Sequence, residues 1–151
     1  EARKASSKPT MLGYQAKGAA PFIKGSRVEN PETIATAIRI GNPQSWDQAL
    51  QLSKDSNGWF DSFSDKEILA TQKLLTEKEG IFCEPASAIS VAGALRDIKS
   101  GKIPDGSTVV CTLTGHGLKD PDTAISQCDT GAMINVNPTL EEVKKAILDN
   151  M

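Results

Sequence analysis

Three cysteines and one histidine are the entire soft-ligand and redox inventory of this 151-residue chain. Cys83, Cys111 and Cys128 are odd in number, widely spaced and free of any CxxC pattern, which argues against a metal site, a redox pair or a disulfide framework. The first two lie in apolar segments, so buried free thiols in a reducing compartment are expected. No stretch approaches the ~20 apolar residues that a membrane span needs. A basic stripe is missing as well. The net charge is -2, and lysines and arginines are scattered apart from Arg3-Lys4 with Lys8, which speaks against a nucleic-acid partner. Neither an internal repeat nor a low-complexity linker is present. The chain opens on Glu1 without a signal-peptide pattern. Its 38% hydrophobic and 24% charged residues fit one soluble globular domain.

What is present reads as alternating strands and helices. Thr10 to Ala16 suits a strand, and Gly18-Ala19-Ala20-Pro21 a small-residue turn or helix start. Asn30 as a cap with Pro31 at the first position predicts a helix over about 31–39, stopped by Gly41-Asn42-Pro43. Ser45 with Gln48 forms a capping-box pattern for a helix over about 46–54, and Trp59 to Phe63 alternates as a short strand. The clearest local signal is Ser64-Asp65-Lys66-Glu67. Ser64 caps, Glu67 reaches back, Phe63 staples onto Ile68, and Gly80 stops a helix over 65–79. Ile81-Phe82-Cys83 then reads as a brief buried strand. From Pro85 to Lys99, apolar residues recur at helical spacing, with Ala86, Ser87, Ala88, Ser90, Ala92, Gly93 and Ala94 keeping one face small. That face suits the close approach of a ligand or backbone, and equally helix-on-sheet packing. Thr139 with Glu142 predicts a last capping box before Leu140, Val143 and Ile147. The fold class is therefore α/β: a mostly parallel sheet with helices on both faces.

The most informative run is Cys111-Thr112-Leu113-Thr114-Gly115-His116-Gly117-Leu118-Lys119-Asp120-Pro121. Thr108 to Leu113 is β-branched and apolar, bounded by Pro104-Asp105-Gly106 and Gly115, and predicts a central parallel strand. Ligands of open α/β sheets collect at the carboxyl ends of strands, which puts the Thr114 hydroxyl where contact is expected. An ordinary strand-to-loop turn has the same pattern.

This run resembles the threonine synthases, pyridoxal 5'-phosphate (PLP) enzymes of fold type II, the tryptophan-synthase-β-like fold. Three further blocks carry the resemblance: Asn30 to Pro43, Glu84-Pro85-Ala86-Ser87-Ala88, and Gly13 to Pro21. They occur in the family's order. The Ser-Phe-Lys-Asp-like motif whose lysine bonds the cofactor and the phosphate-holding glycine- and asparagine-rich loop do not appear in the sequence. The resemblance thus implies that residues 1–151 are the C-terminal portion of the PLP-binding large domain, with the catalytic lysine elsewhere in a cytoplasmic, homodimeric parent.

The resemblance further implies that Thr114 faces the pyridine nitrogen, that Ala37 lies beside the ring, and that Gly115, with Gly117, permits close approach. His116 is expected to be loop scaffold rather than acid or base. Lys119 is expected to be exposed or ion-paired, and Glu84 to cap a helix. Arg39 suits either a substrate anion or a solvent-facing ion pair. The implied reaction converts O-phospho-L-homoserine and water to L-threonine and phosphate, and this portion alone is expected to be inactive. A fold type II serine or threonine dehydratase and a non-catalytic assembly module are the rival readings.

Overall fold

A computed structural model describes residues 7–128 and 134–150. Two compact units divide the chain, one running to Asp120 and the other starting at Pro121. In the first unit, β1 (Leu12–Ala16) and β2 (Trp59–Phe63) pair in parallel, with Gly13 opposite Phe60 and Ala16 opposite Phe63. Between them lie α1 (Pro21–Lys24) and α2 (Trp46–Asp55); after them come α3 (Asp65–Glu79) and α4 (Pro85–Lys99).

Strand alternation puts different side chains on the two faces of this ribbon. Tyr14, Trp59, Asp61 and Phe63 turn to α4. The Tyr14 hydroxyl and the Trp59 indole N–H both donate to Asp97 Oδ2, at 2.7 and 2.8 Å, and Asp97 is only 3% exposed. Arg96 pairs with Asp61 at 2.6 Å and lies 3.7 Å above the Phe63 ring. On the opposite face Phe60 stacks on Phe22 of α1 with centroids 4.4 Å apart, and Phe22 leans on Trp46 of α2. Helices therefore flank both faces of a parallel sheet. The core joins Ala16, Ala35, Phe63, Ile68, Ile89 and Ala92. Gly93 lets α4 lie close to β1: a β-carbon there would enter the Tyr14 ring.

The α3 signals hold as read. Ser64 Oγ accepts from Glu67 N at 3.4 Å, Glu67 Oε2 accepts from Ser64 N at 2.8 Å, and Gly80 ends the helix at φ 67°. Other expectations need correction. The helix over 31–39 is a single 3-10 turn, Thr36–Ile38. Two of its amides are taken by tertiary partners, Glu32 N by Gly18 O and Ile34 N by Asp65 Oδ2 at 3.1 Å, and a third locally, Ala35 N by Thr33 Oγ1 at 3.1 Å. Ser45 opens α2 without a side-chain cap bond. Thr108–Leu113 belongs to no strand, and residues 104–110 are exposed: among the described residues β1 and β2 pair only with each other. Ile81–Cys83 shrinks to one antiparallel bridge between Cys83 and His116.

Of the two cysteines in apolar segments, Cys83 is buried as expected and Cys111 only half-buried; Cys128 is exposed. Burial pushes the Cys83 and Cys111 thiols above their ordinary range. In the second unit, α5 (Pro121–Ser126) and α6 (Leu140–Leu148) are short. Thr139 Oγ1 accepts from Glu142 N at 3.4 Å, but the Glu142 carboxylate reaches Asn137 rather than closing the box on Thr139. Among the described residues no helix is long and apolar enough to cross a membrane.

Burial, then the Asp97 carboxylate, raises the Tyr14 phenol well above its ordinary value. The folded chain then keeps this proton after the unfolded chain has lost it, so stability falls as pH rises past about 10. Tyr14→Phe is expected to cost about 1.5 kcal/mol at neutral pH, the low end for a hydrogen bond to a charged group, and to remove this alkaline loss. Urea unfolding of both chains at neutral and alkaline pH checks it; identical slopes above the tyrosine range would refute the account.

Candidate functional site

The loop after Leu113 is fastened to the entrance of α4 by its backbone. Glu84 N donates to Gly115 O and Gly117 N to Phe82 O, each at 3.0 Å. Gly115 N donates to Ser87 Oγ at 3.0 Å, one turn into α4. Thr114 is exposed, with its Oγ1 3.4 Å from the same Ser87 Oγ. A neutral hydroxyl is thus open to a ligand on one side and braced on the other.

Gly115 and Gly117 are buried, and neither has a positive φ. Their need is space. A β-carbon on Gly115 would land on the Glu84 carboxylate, and one on Gly117 on the Phe82 ring. The protein itself, therefore, fills the room these glycines leave. His116 Nδ1 accepts from Leu118 N at 3.1 Å and caps the 3-10 turn Gly117–Lys119, while its ring meets Phe82 edge-on. Loop scaffold is what this geometry describes.

Glu84 sits at the N-cap of α4 but makes no side-chain cap bond, contrary to expectation. Its longer side chain folds back instead, with Oε1 3.5 Å from Ser87 Oγ and Oε2 4.0 Å from Lys119 Nζ. The carboxylate is buried, at 6% exposed, and the positive end of α4 favours its charge there. Lys119 itself stays largely in solvent.

Ala37 lies exposed on the turn Thr36–Ile38, whose neighbours Ala35 and Ile38 pack into the core beside Ala86 and Ile89 of α4. Asp65 holds this turn from below through Thr33 Oγ1 at 2.5 Å and Ile34 N. Arg39 is exposed. The first turns of α4 thus support both the Ala37 turn and the Thr114 loop. Ser87, which ties the latter, was not singled out in the sequence. It is hidden in a stripe of small residues, and only its position three after Glu84 sets it on the loop's side. An apolar hollow of about 200 Å³ between Tyr14, Phe22, Ile38, Ile40 and Phe60 includes neither Thr114 nor Ala37.

An exposed neutral hydroxyl on a tightly held glycine loop is a donor suited to an aromatic ring nitrogen. The comparisons with known proteins show the family. The chain belongs to the pyridoxal-phosphate dependent enzyme family, whose model matches residues 1–115. Its similar relatives are threonine synthases: that of Synechocystis sp. is 52% identical over 139 residues, covering 92% of this chain and 36% of the relative. The Halalkalibacterium halodurans enzyme is 51% identical over 150 residues, covering 99% and 41%, and that of Mycobacterium tuberculosis 54% over 130, covering 86% and 36%. The chain therefore spans about two fifths of the length of the curated relatives it matches. Among solved structures, a fungal L-serine ammonia-lyase from Rhizomucor miehei aligns with a TM-score of 0.61 at 17% identity, over 78% of this chain and 41% of that one. A bacterial threonine deaminase aligns at 0.50 and 20% identity, over 59% and 32%. These two likenesses support the fold.

Gly115→Ala is expected to cost about 1–3 kcal/mol, because the buried Glu84 carboxylate must move. His116→Asn replaces the Nδ1 acceptor with a side-chain oxygen of the kind that caps helices well and should cost under about 0.5 kcal/mol. Denaturant midpoints of the two variants check the ranking; a harmless Gly115→Ala would remove the packing argument.

Proposed function

We propose that residues 1–151 are the C-terminal portion of a threonine synthase, within its PLP-binding large domain. The parent converts O-phospho-L-homoserine and water to L-threonine and inorganic phosphate, as a PLP-dependent carbon-oxygen lyase. The relatives named threonine synthase, matching at about half of all positions along nearly the whole chain, support this reading. One structural observation supports the site assignment: Thr114 is exposed while Ser87 and the Gly115 backbone hold its loop from behind.

PLP supplies an electron sink for charge that develops on substrate carbon. The part of this chain is to set how deep that sink is. A carboxylate facing the ring nitrogen would keep it protonated and the sink strong; the Thr114 hydroxyl leaves it mostly neutral. Gly115 keeps the loop close to α4, and Ala37, a small exposed side chain on a rigid turn, leaves room for a flat ring. No residue of this chain carries the covalent role, which falls to a lysine outside it. His116 is engaged as a cap, so it moves no proton in this reading. The parent is a cytoplasmic homodimer acting on a small phosphorylated amino acid.

Assay of the full-length parent with phosphohomoserine and with L-threonine separates this proposal from a dehydratase. Phosphate release from the first, with no ammonia from the second, is the expected result; the reverse overturns it. Thr114→Val in the parent should weaken PLP binding by roughly two- to tenfold, the worth of one neutral hydrogen bond, as read by cofactor titration. The isolated chain should show no turnover and no PLP retained covalently after borohydride, checked by intact mass.

A further inference from the structure

Ser87 Oγ is buried and stands at the crossing of three groups: the Gly115 amide at 3.0 Å, Thr114 Oγ1 at 3.4 Å and Glu84 Oε1 at 3.5 Å. A serine hydroxyl has one proton and two acceptor positions. Gly115 N occupies one acceptor position. The proton can then serve Thr114 or Glu84, but not both. The choice decides what Thr114 presents to solvent. If Ser87 donates to Thr114, the threonine proton is free to point outward. If Ser87 donates to Glu84, its second acceptor position draws the Thr114 proton inward, and only lone pairs face out. An unprotonated ring nitrogen needs the first arrangement.

We propose that Ser87 is a positioning residue: fixed by the Gly115 amide, it donates to Thr114 and thereby aims the Thr114 proton at the ring nitrogen of the cofactor. Glu84 is the competing acceptor: its Oε1 stands 3.5 Å from Ser87 Oγ, against 3.4 Å for Thr114 Oγ1, and its other oxygen lies 4.0 Å from Lys119 Nζ. The proposal rests on the reading of Thr114 given above and extends it to a residue that touches no ligand. Ser87 sets the direction of one proton, and so the electronic state of a group it never meets.

The test uses the full-length holoenzyme loaded with PLP labelled with nitrogen-15 in the ring. The readout is the chemical shift of that nitrogen, which reports its hydrogen bonding and protonation without turnover. Thr114→Val moves the signal and defines the shift for a lost donor. Ser87→Ala is expected to move it in the same direction and to raise the PLP dissociation constant roughly two- to tenfold. Ser87→Thr, which keeps a hydroxyl, should restore both. Ser87→Cys, a weak donor of similar size, should fall between them, and carries the test if the alanine variant does not fold. If Thr114→Val moves the signal while Ser87→Ala and Ser87→Cys leave it at the wild-type position, the role of Ser87 is overturned and that of Thr114 stands. If Thr114→Val leaves it unmoved, the underlying reading of Thr114 fails.

Discussion

Everything in the first unit depends on how closely α4 can lie against its neighbours. The helix must meet β1, β2, the Thr36–Ile38 turn and the Thr114 loop at once, and it does so because small residues make up much of its buried face. Ala88, Ala92, Gly93 and Ala94 contribute little more than backbone there. The Tyr14 ring sits where a Gly93 side chain would be. Such a surface buries little apolar area per residue, so area alone gives weak specificity. Register comes from polar ties that tolerate no sliding: Asp97 holds Tyr14 and Trp59, and Ser87 holds Gly115. A buried carboxylate left without its donors would be costly, which makes the Asp97 arrangement close to all-or-none.

How much of this was legible depends on where the partners of each segment lie. The α3 signals are local: cap, return bond, staple and stop all fall within the helix and two residues on either side of it. Composition alone therefore placed Ser64, Glu67 and Gly80 correctly. The segment after Asn30 carries equally good helix-start residues, yet it forms only one 3-10 turn. Its amides are claimed by Gly18 O and Asp65, and Asp65 lies far along the chain. Tertiary bonds outweighed local propensity, which is worth only a fraction of a kcal/mol per residue. Glu84 shows the same lesson at a smaller scale. A helix N-cap position suggested a capping carboxylate, but Ser87, Gly115 and Lys119 gave it other surroundings.

The run before Thr114 is a different case. Thr108–Leu113 has strand composition, but a strand exists only when a neighbour pairs with it. The two described strands pair with each other and leave this run unclaimed. Sequence pattern reports what a segment can do; pairing depends on what else is present.

The failure of that strand did not displace the loop it was meant to position. The Thr114 loop was read from strand-end logic, in which the sheet aims the hydroxyl. In the structure the aim comes from the other side, through four hydrogen bonds to residues 82–87 and the start of α4. Those bonds lie within a stretch of backbone that includes a Pro85 start, a buried Gly115 and a Gly117 pressed against Phe82. Both glycines serve contact between loop and helix rather than unusual dihedrals, which is why neither has a positive φ. A loop built this way keeps its shape on the strength of α4, and α4 keeps its place on the strength of Asp97. Positioning of the hydroxyl is thus a property of helix packing, transmitted through Ser87 and two backbone bonds.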